Sequence, residues 1–333
     1  MILAPVTSYS PEKSLAFGVG AKYLFKFNGS GEETRTSNLP MSVQYTLNNQ
    51  FFIYSGFEMF TNQEKWVIEG NFLFQNYPRL YYGIGNDTPV SNEEEYNYYQ
   101  LLFEPIFLKQ MFTRYLFIGG GLRLNHIFNT AIEEDGLIDL QKPTGFDGST
   151  SAGLETAALY DSRNNLLNAT KGWYFEGTFG VYNDIFGSTH DFRLLRYDLR
   201  HYFSLNNKTK DVIAFQTTGR FSRGDIPFSE FSFFGGSDIM RGYREGRYVD
   251  RDMIATQIEY RKSFINSRLG AVAFVGFGNV YNNISELKLN ELKPNYGVGL
   301  RFKIDKSENL NIRLDWGFSD NKSNIYFGIA EAF

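Results

Sequence analysis

The residues able to do chemistry are few and scattered. There is no cysteine, so disulfides, thiolate catalysis and cysteine-ligated zinc are excluded. His126, His190 and His201 stand too far apart in sequence to suggest a metal site. The run Gly148-Ser149-Thr150-Ser151-Ala152-Gly153 has the small residues of a nucleophile elbow but not the G-x-S-x-G spacing. It also opens a strand pattern instead of joining strand to helix. Glu93, Glu94 and Glu95 form a charged run expected to be solvated, not catalytic. Gly119-Gly120-Gly121 lies inside a strand pattern and reads as a bend, not a phosphate cradle. The net charge of -4 gives no case for nucleic-acid binding. No catalytic, cofactor-binding or metal-binding residue is assigned, and the chain reads as a non-enzyme.

One polar group demands more attention than any of these. Arg241 sits in Phe234-Gly235-Gly236-Ser237-Asp238-Ile239-Met240-Arg241-Gly242-Tyr243, within a long connection spanning about 224–251. A guanidinium has five N–H donors in a rigid fork, so in a confined space it must find acceptors. On an open surface the same stretch would be an ordinary glycine-rich hairpin loop. Which of the two applies depends on the elements around it.

Those elements are strands. In Leu310–Phe318 the residues Leu310, Ile312, Leu314, Trp316 and Phe318 share one face, and Asn311, Arg313, Asp315 and Gly317 share the other. In Leu195–Phe203 the face of Leu195, Tyr197, Leu199 and Phe203 opposes Arg196, Asp198, Arg200 and Tyr202. Charges at every second position are too costly for a dry two-sheet core, but they can line a watery lumen. The segments of this kind begin with Ile2–Ser10, Leu15–Phe27, Leu39–Leu47, Phe51–Phe60, Trp66–Tyr77 and Tyr98–Gln110. They continue with Arg114–Phe128, Thr150–Asp161, Gly172–Tyr182, Phe192–Ser204 and Asp211–Arg223. The last are Asp252–Phe264, Arg268–Val280, Asn295–Ile304, Leu310–Phe318 and Asn324–Phe333. That makes about sixteen, each near the roughly 9–11 residues a strand needs to cross a bilayer.

Composition agrees. Phe, Tyr and Trp make up 17% of the 333 residues, and aromatic side chains suit lipid-facing strands and membrane interfaces. No apolar run is long enough for a membrane helix. The expected fold is an all-β, transmembrane, antiparallel up-and-down barrel occupying 1–333, in a bacterial outer membrane. Short links such as Pro11-Glu12-Lys13-Ser14 and Asn48-Asn49-Gln50 are expected at the periplasmic end. Longer ones, Asn28–Asn38, Pro78–Asn97, Asn129–Ser149 and Gly224–Arg251, are expected to face outward. After Met1 the chain runs into Leu3, Ala4, Pro5 and Val6 without a signal-peptide pattern, so Met1 reads as an introduced start on a trimmed chain.

With the barrel in place, the Arg241 stretch resembles the sixth loop of the BamA/TamA outer-membrane assembly and translocation family. In that family a Gly-Gly pair, here Gly235-Gly236, precedes an aliphatic-Arg-Gly-aromatic tetrad, here Met240-Arg241-Gly242-Tyr243. Eleven strands precede the loop and five follow, as in the family. Asp161-Ser162-Arg163 through Gly172-Trp173 is similar to the family's Asp-x-Arg turn. The resemblance implies that the loop folds into the lumen and that its arginine pairs with groups on the two following strands. One position departs: Phe274-Val275-Gly276-Phe277-Gly278 has Gly276 where the family's acidic partner would stand. Glu259 in Ile258-Glu259-Tyr260-Arg261 is left as the expected acceptor, the alternative being a merely solvated lumen charge.

The chain closes on Ile325, Phe327, Ile329, Glu331 and Phe333 on one parity. Ile325, Phe327, Ile329 and Phe333 resemble the terminal signal by which outer-membrane barrels are recognised for insertion. The resemblance further implies insertion of outer-membrane proteins, or passage of a protein domain, through an opening between first and last strands. Pro5, which lacks an N–H, would weaken that seam. No cofactor is expected. The expected partners are outer-membrane lipid, unfolded outer-membrane proteins or a passenger domain, and periplasmic accessory proteins. No periplasmic repeat domain is expected within this chain. A passive diffusion channel or a membrane anchor for another domain is the alternative.

Overall fold

Alternating side chains give each strand one apolar and one polar face, and an antiparallel sheet of such strands can bury its polar face only by curling around it. The computed structural model describes residues 2–11, 14–32, 34–76, 78–206, 211–264, 266–305, 309–320 and 322–333. Among them an antiparallel sheet of sixteen strands is nearly closed into a barrel. The first half of the wall is β1 (Ile2–Ser10), β2 (Ser14–Phe25), β3 (Ser37–Thr46), β4 (Phe51–Phe60), β5 (Trp66–Asn76), β6 (Glu94–Gln110), β7 (Leu116–Ala131) and β8 (Ser149–Asp161). The second half is β9 (Gly172–Tyr182), β10 (Phe192–Asn206), β11 (Asp211–Gly224), β12 (Asp252–Ser263), β13 (Leu269–Tyr281), β14 (Lys293–Asp305), β15 (Leu310–Phe318) and β16 (Ser323–Ile329). Each pairs with the next in the chain, and β1 returns to β16 at Tyr9↔Phe327. No helix of the described residues is long and apolar enough to cross a membrane.

The faces fall as the alternation requires. Leu3, Val19, Leu300 and Trp316 are about half or more exposed on the outside, while Asp315, Arg313 and Asn311 are buried within. Leaving a large apolar side chain in water forgoes about 1.5–3 kcal/mol of burial, so a belt of them calls for lipid. Inside, charges meet charges: Arg196 lies 2.8 Å from Glu155, and Arg200 pairs with Asp198. At the mouth that carries the longest loops, Tyr81, Tyr96, Tyr182, Phe228 and Phe231 pack into an apolar cluster.

Three expectations need correction. Successive links of an antiparallel meander alternate between ends whatever their length. The turns after β1 and β3 therefore lie at the same end as the 225–251 loop, where Arg244 donates to the Pro11 carbonyl and shares a cavity wall with Asn48 and Gln50. Link 26–36, expected outward, lies at the opposite end. The last strand stops at Ile329, because Ala330 takes φ +71 and turns the chain out of the ladder. Phe333 consequently leaves the outward parity of Ile325 and Ile329 and is buried against Tyr202, Val212 and Ala214. Finally, Glu94 is not solvated: it begins β6, is buried, and accepts the Ile138 N–H at 3.0 Å. The expected turn residues Glu12 and Lys13, the strand end at Tyr77 and the reading of Met1 lie outside the described residues.

Candidate functional site

The connection between β11 and β12 leaves the wall at Gly224 (φ +113) and enters the lumen. A single 3-10 turn, Phe228–Glu230, leads into a short hairpin of Ser232–Phe234 paired with Tyr248–Asp250. Beyond the hairpin the backbone must reverse twice in little space. Gly235 and Gly236 supply φ +103 and φ +129, and the Gly236 N–H donates to the Tyr243 carbonyl at 3.1 Å. Met240 (φ +54) is fully buried with Phe234, Tyr243, Ala255 and Val280, and Tyr243 N–H closes the turn on the Met240 carbonyl. Gly242 (φ +113) lies flat on β15, where an added Cβ would meet the Phe318 backbone at 2.6 Å.

This turn delivers Arg241 to the inner wall with no exposed surface. Its Nη2 donates to Oε2 of Glu259 on β12 at 2.6 Å, and its Nη1 to Oδ2 of Asp315 on β15 at 2.7 Å. The guanidinium also lies 3.6 Å from the ring centroid of Phe274, a cation–π contact. Burial pulls the Arg241 guanidinium down; the carboxylates of Glu259 and Asp315 outweigh that and raise it. The backbone is held as tightly. Asn295 donates to the Arg241 carbonyl, Asn324 and Ser319 to the Gly242 carbonyl, and the Gly242 N–H donates to the Tyr326 hydroxyl. Tyr243 donates its hydroxyl to the Pro294 carbonyl at 3.0 Å.

Gly276 has its own place here. A Cβ there would meet Oδ1 of Asn295 at 2.5 Å, so the missing side chain leaves room for the amide that binds the Arg241 carbonyl. The second carboxylate comes from Asp315, two strands further on. Sequence reasoning put Asp315 on the polar face of its strand but did not join it to the loop. It also missed Glu230, which is fully buried and takes hydrogen bonds from Arg123 (2.8 Å), Asn125 (2.7 Å) and Arg220 (2.6 Å). Burial pushes the Glu230 carboxyl up, but Arg123 and Arg220 outweigh it and hold it down at about 2. A glutamate in Phe-Ser-Glu-Phe, surrounded by aromatic residues, was the available signal.

The turn motif does not join this cluster. Arg163 binds Asp161 through Nε at 2.9 Å and stacks over Tyr174 at 4.2 Å, at the end of the barrel away from the loop. Gly172 (φ +111) passes so close to Ser162 that a Cβ would meet its carbonyl oxygen at 2.3 Å. Ile325 and Ile329 face outward, and Phe327 is partly buried at the seam beside Tyr9.

Among solved structures, the fold resembles BamA from Haemophilus ducreyi lacking POTRA domains 1-3, with TM-score 0.62 and 14% identity over 99% of this chain and 70% of that one. It also resembles CdiB from Escherichia coli, with TM-score 0.67 and 9% identity over 99% and 62%, and CdiB from Acinetobacter baumannii, with TM-score 0.59 and 13% identity over 98% and 58%. The chain thus spans about three fifths of the length of the two CdiB chains, and at these identities the likeness is one of fold. No curated protein sequence matches it. The profile of the Omp85 superfamily domain matches residues 16–333, nearly the whole chain, and this barrel with its inturned arginine loop therefore belongs to the Omp85 superfamily.

Proposed function

We propose that this barrel sits in the bacterial outer membrane and moves other polypeptides, either helping outer-membrane proteins to insert or passing a protein domain across. The observation that carries this reading is the seam. Among the described residues β1 and β16 share one register pair, Tyr9↔Phe327, whereas β1 shares nine with β2 and β16 shares seven with β15. A short, weakly paired edge can part, offer its backbone N–H and C=O groups to an incoming strand, and close again. Pro5 removes one donor from β1. In this reading membrane lipid and unfolded client chains meet the outer side of the seam, and periplasmic accessory proteins bring the clients. The anchored loop across the lumen argues against an open diffusion channel.

Because the chain has no cysteine, the seam can be locked cleanly. The double variant Tyr9→Cys, Phe327→Cys joins the one registered pair. Oxidised, it should lose insertion of a client barrel into liposomes, and reductant should restore it. An oxidised barrel that works at the reduced rate would sink the proposal.

A further inference from the structure

Two arginines beside the loop anchor are engaged on two sides. Arg261 on β12 holds Oε1 of Glu259 through Nε at 2.8 Å and donates Nη2 to the Phe333 main-chain oxygen at 2.8 Å. Its guanidinium also lies 5.0 Å from the Phe333 ring centroid. Arg301 on β14 pairs with Asp315 through Nη1 and with Glu331 through Nε at 2.7 Å. Each carboxylate that grips Arg241 is therefore shared with an arginine that also grips the 330–333 segment. Arg241, Arg261 and Arg301 face Glu259, Asp315 and Glu331, three side-chain charges against three, all less than a tenth exposed. Arg313 lies 3.7 Å from Asp315 and brings its own counter-charge, Asp238 of the loop, at 2.7 Å.

We infer that Ala330–Phe333 is a latch on the lumen loop: seated, it completes the charge network around Arg241, and withdrawn, it loosens the loop. Taking Glu331 and the Phe333 main-chain oxygen away leaves three guanidiniums against two side-chain carboxylates in a desolvated space. Arg261 and Arg301 then compete with Arg241 for the oxygens of Glu259 and Asp315, and surplus positive charge repels the loop. The coupling is reciprocal, so freeing the loop must also loosen the latch. Since the segment continues directly from β16, movement at the seam reaches the loop through it. The inference concerns the barrel itself and holds whatever substrate the barrel serves.

The test uses single cysteines in the otherwise cysteine-free chain, purified in detergent, with the labelling rate of a polar maleimide as readout. Met240→Cys reports on the loop and Ala332→Cys on the latch; both positions are buried. Glu331→Gln should speed labelling of the loop reporter at least fivefold, and Glu331→Asp should return it toward the starting rate. Arg241→Lys should speed labelling of the latch reporter at least fivefold. Should Glu331→Gln fail to give the heat-modifiable migration of a folded barrel, Phe333→Ala, which keeps every charge, takes its place with the same expected rise. A rise below fivefold in either direction, in folded protein, overturns the coupling. No client insertion is measured, so this failure is distinct from a failure of the proposed transport role.

Discussion

Two fully buried charges of the loop, Glu230 and Arg241, anchor it to the lumen wall, and the two differ in what would remain if the loop let go. Glu230 places one carboxylate among Arg123 and Asn125 on β7 and Arg220 on β11. Without it, Arg123 keeps Glu104 at 3.1 Å, but among the described residues no other carboxylate lies within ion-pair distance of Arg220. Arg241 places one guanidinium between Glu259 and Asp315, and each of these retains another arginine when Arg241 departs. A buried charge left without a partner is the expensive outcome. The root of the loop is thus held where release is costly, and its tip where spare partners soften release.

Removing Glu230 should therefore do the most damage. Glu230→Ala leaves Arg220 with the main-chain carbonyl of residue 230 but no counter-charge, and is expected to cost about 3–5 kcal/mol in urea unfolding of the detergent-solubilised barrel. Adding Arg220→Met should recover a large part of the loss. A single variant costing under about 1 kcal/mol would show that the root anchor is ornamental. Gly242→Ala comes next: at φ +113, with the Phe318 backbone 2.6 Å from the new methyl, about 2–3 kcal/mol is expected, with displacement of the tip alone. Arg241→Met should cost less, about 1–2 kcal/mol, because Arg261 and Arg301 remain beside the freed carboxylates. If Arg241→Met proved costlier than Glu230→Ala, the contrast between root and tip would be wrong.

The wall was legible in the sequence because period-two alternation is a local property, carried by stretches such as Leu310–Phe318 and recovered with the same ends in the structure. The site was legible only where resemblance supplied a partner. Arg241 and Glu259 could be paired on paper, yet Asp315, 74 residues from Arg241, could not be chosen over Arg313 or Asn311 on the same face. Glu230 and its arginines were invisible for the same reason: ion pairs across a barrel depend on closure and strand stagger, which alternation does not encode. The ends of the links failed differently. Length suggested a side for each, but strand parity decides it. At the chain's last residues, alternation predicted an outward Phe333, and one left-handed residue, Ala330, redirected it inward.

The smallest expected effect is that of pH between 7 and 5, and the pH profile separates the two anchors without any mutation. The Glu230 carboxyl is held at about 2, below its ordinary value of 4.5. A folded value below the unfolded one stabilises fully above the unfolded value and is lost as pH falls through the folded value. Root anchoring should be flat from pH 7 to 5, begin to weaken below about 4.5, and vanish only near pH 2. Arg241, raised by its carboxylates, stays charged throughout and adds no slope of its own. Hydrogen exchange of 228–234 reads this directly: protection should match at pH 7 and pH 5 once the intrinsic rate is removed, then fall toward pH 3. In Glu230→Gln most of that fall should be missing, because the one carboxyl that takes both Arg123 and Arg220 can no longer protonate, and only the Arg123–Glu104 pair remains to titrate. A loss of root protection already at pH 5 in the unaltered chain would mean that Arg123 and Arg220 do not hold the carboxylate down, and that the root is no firmer than the tip.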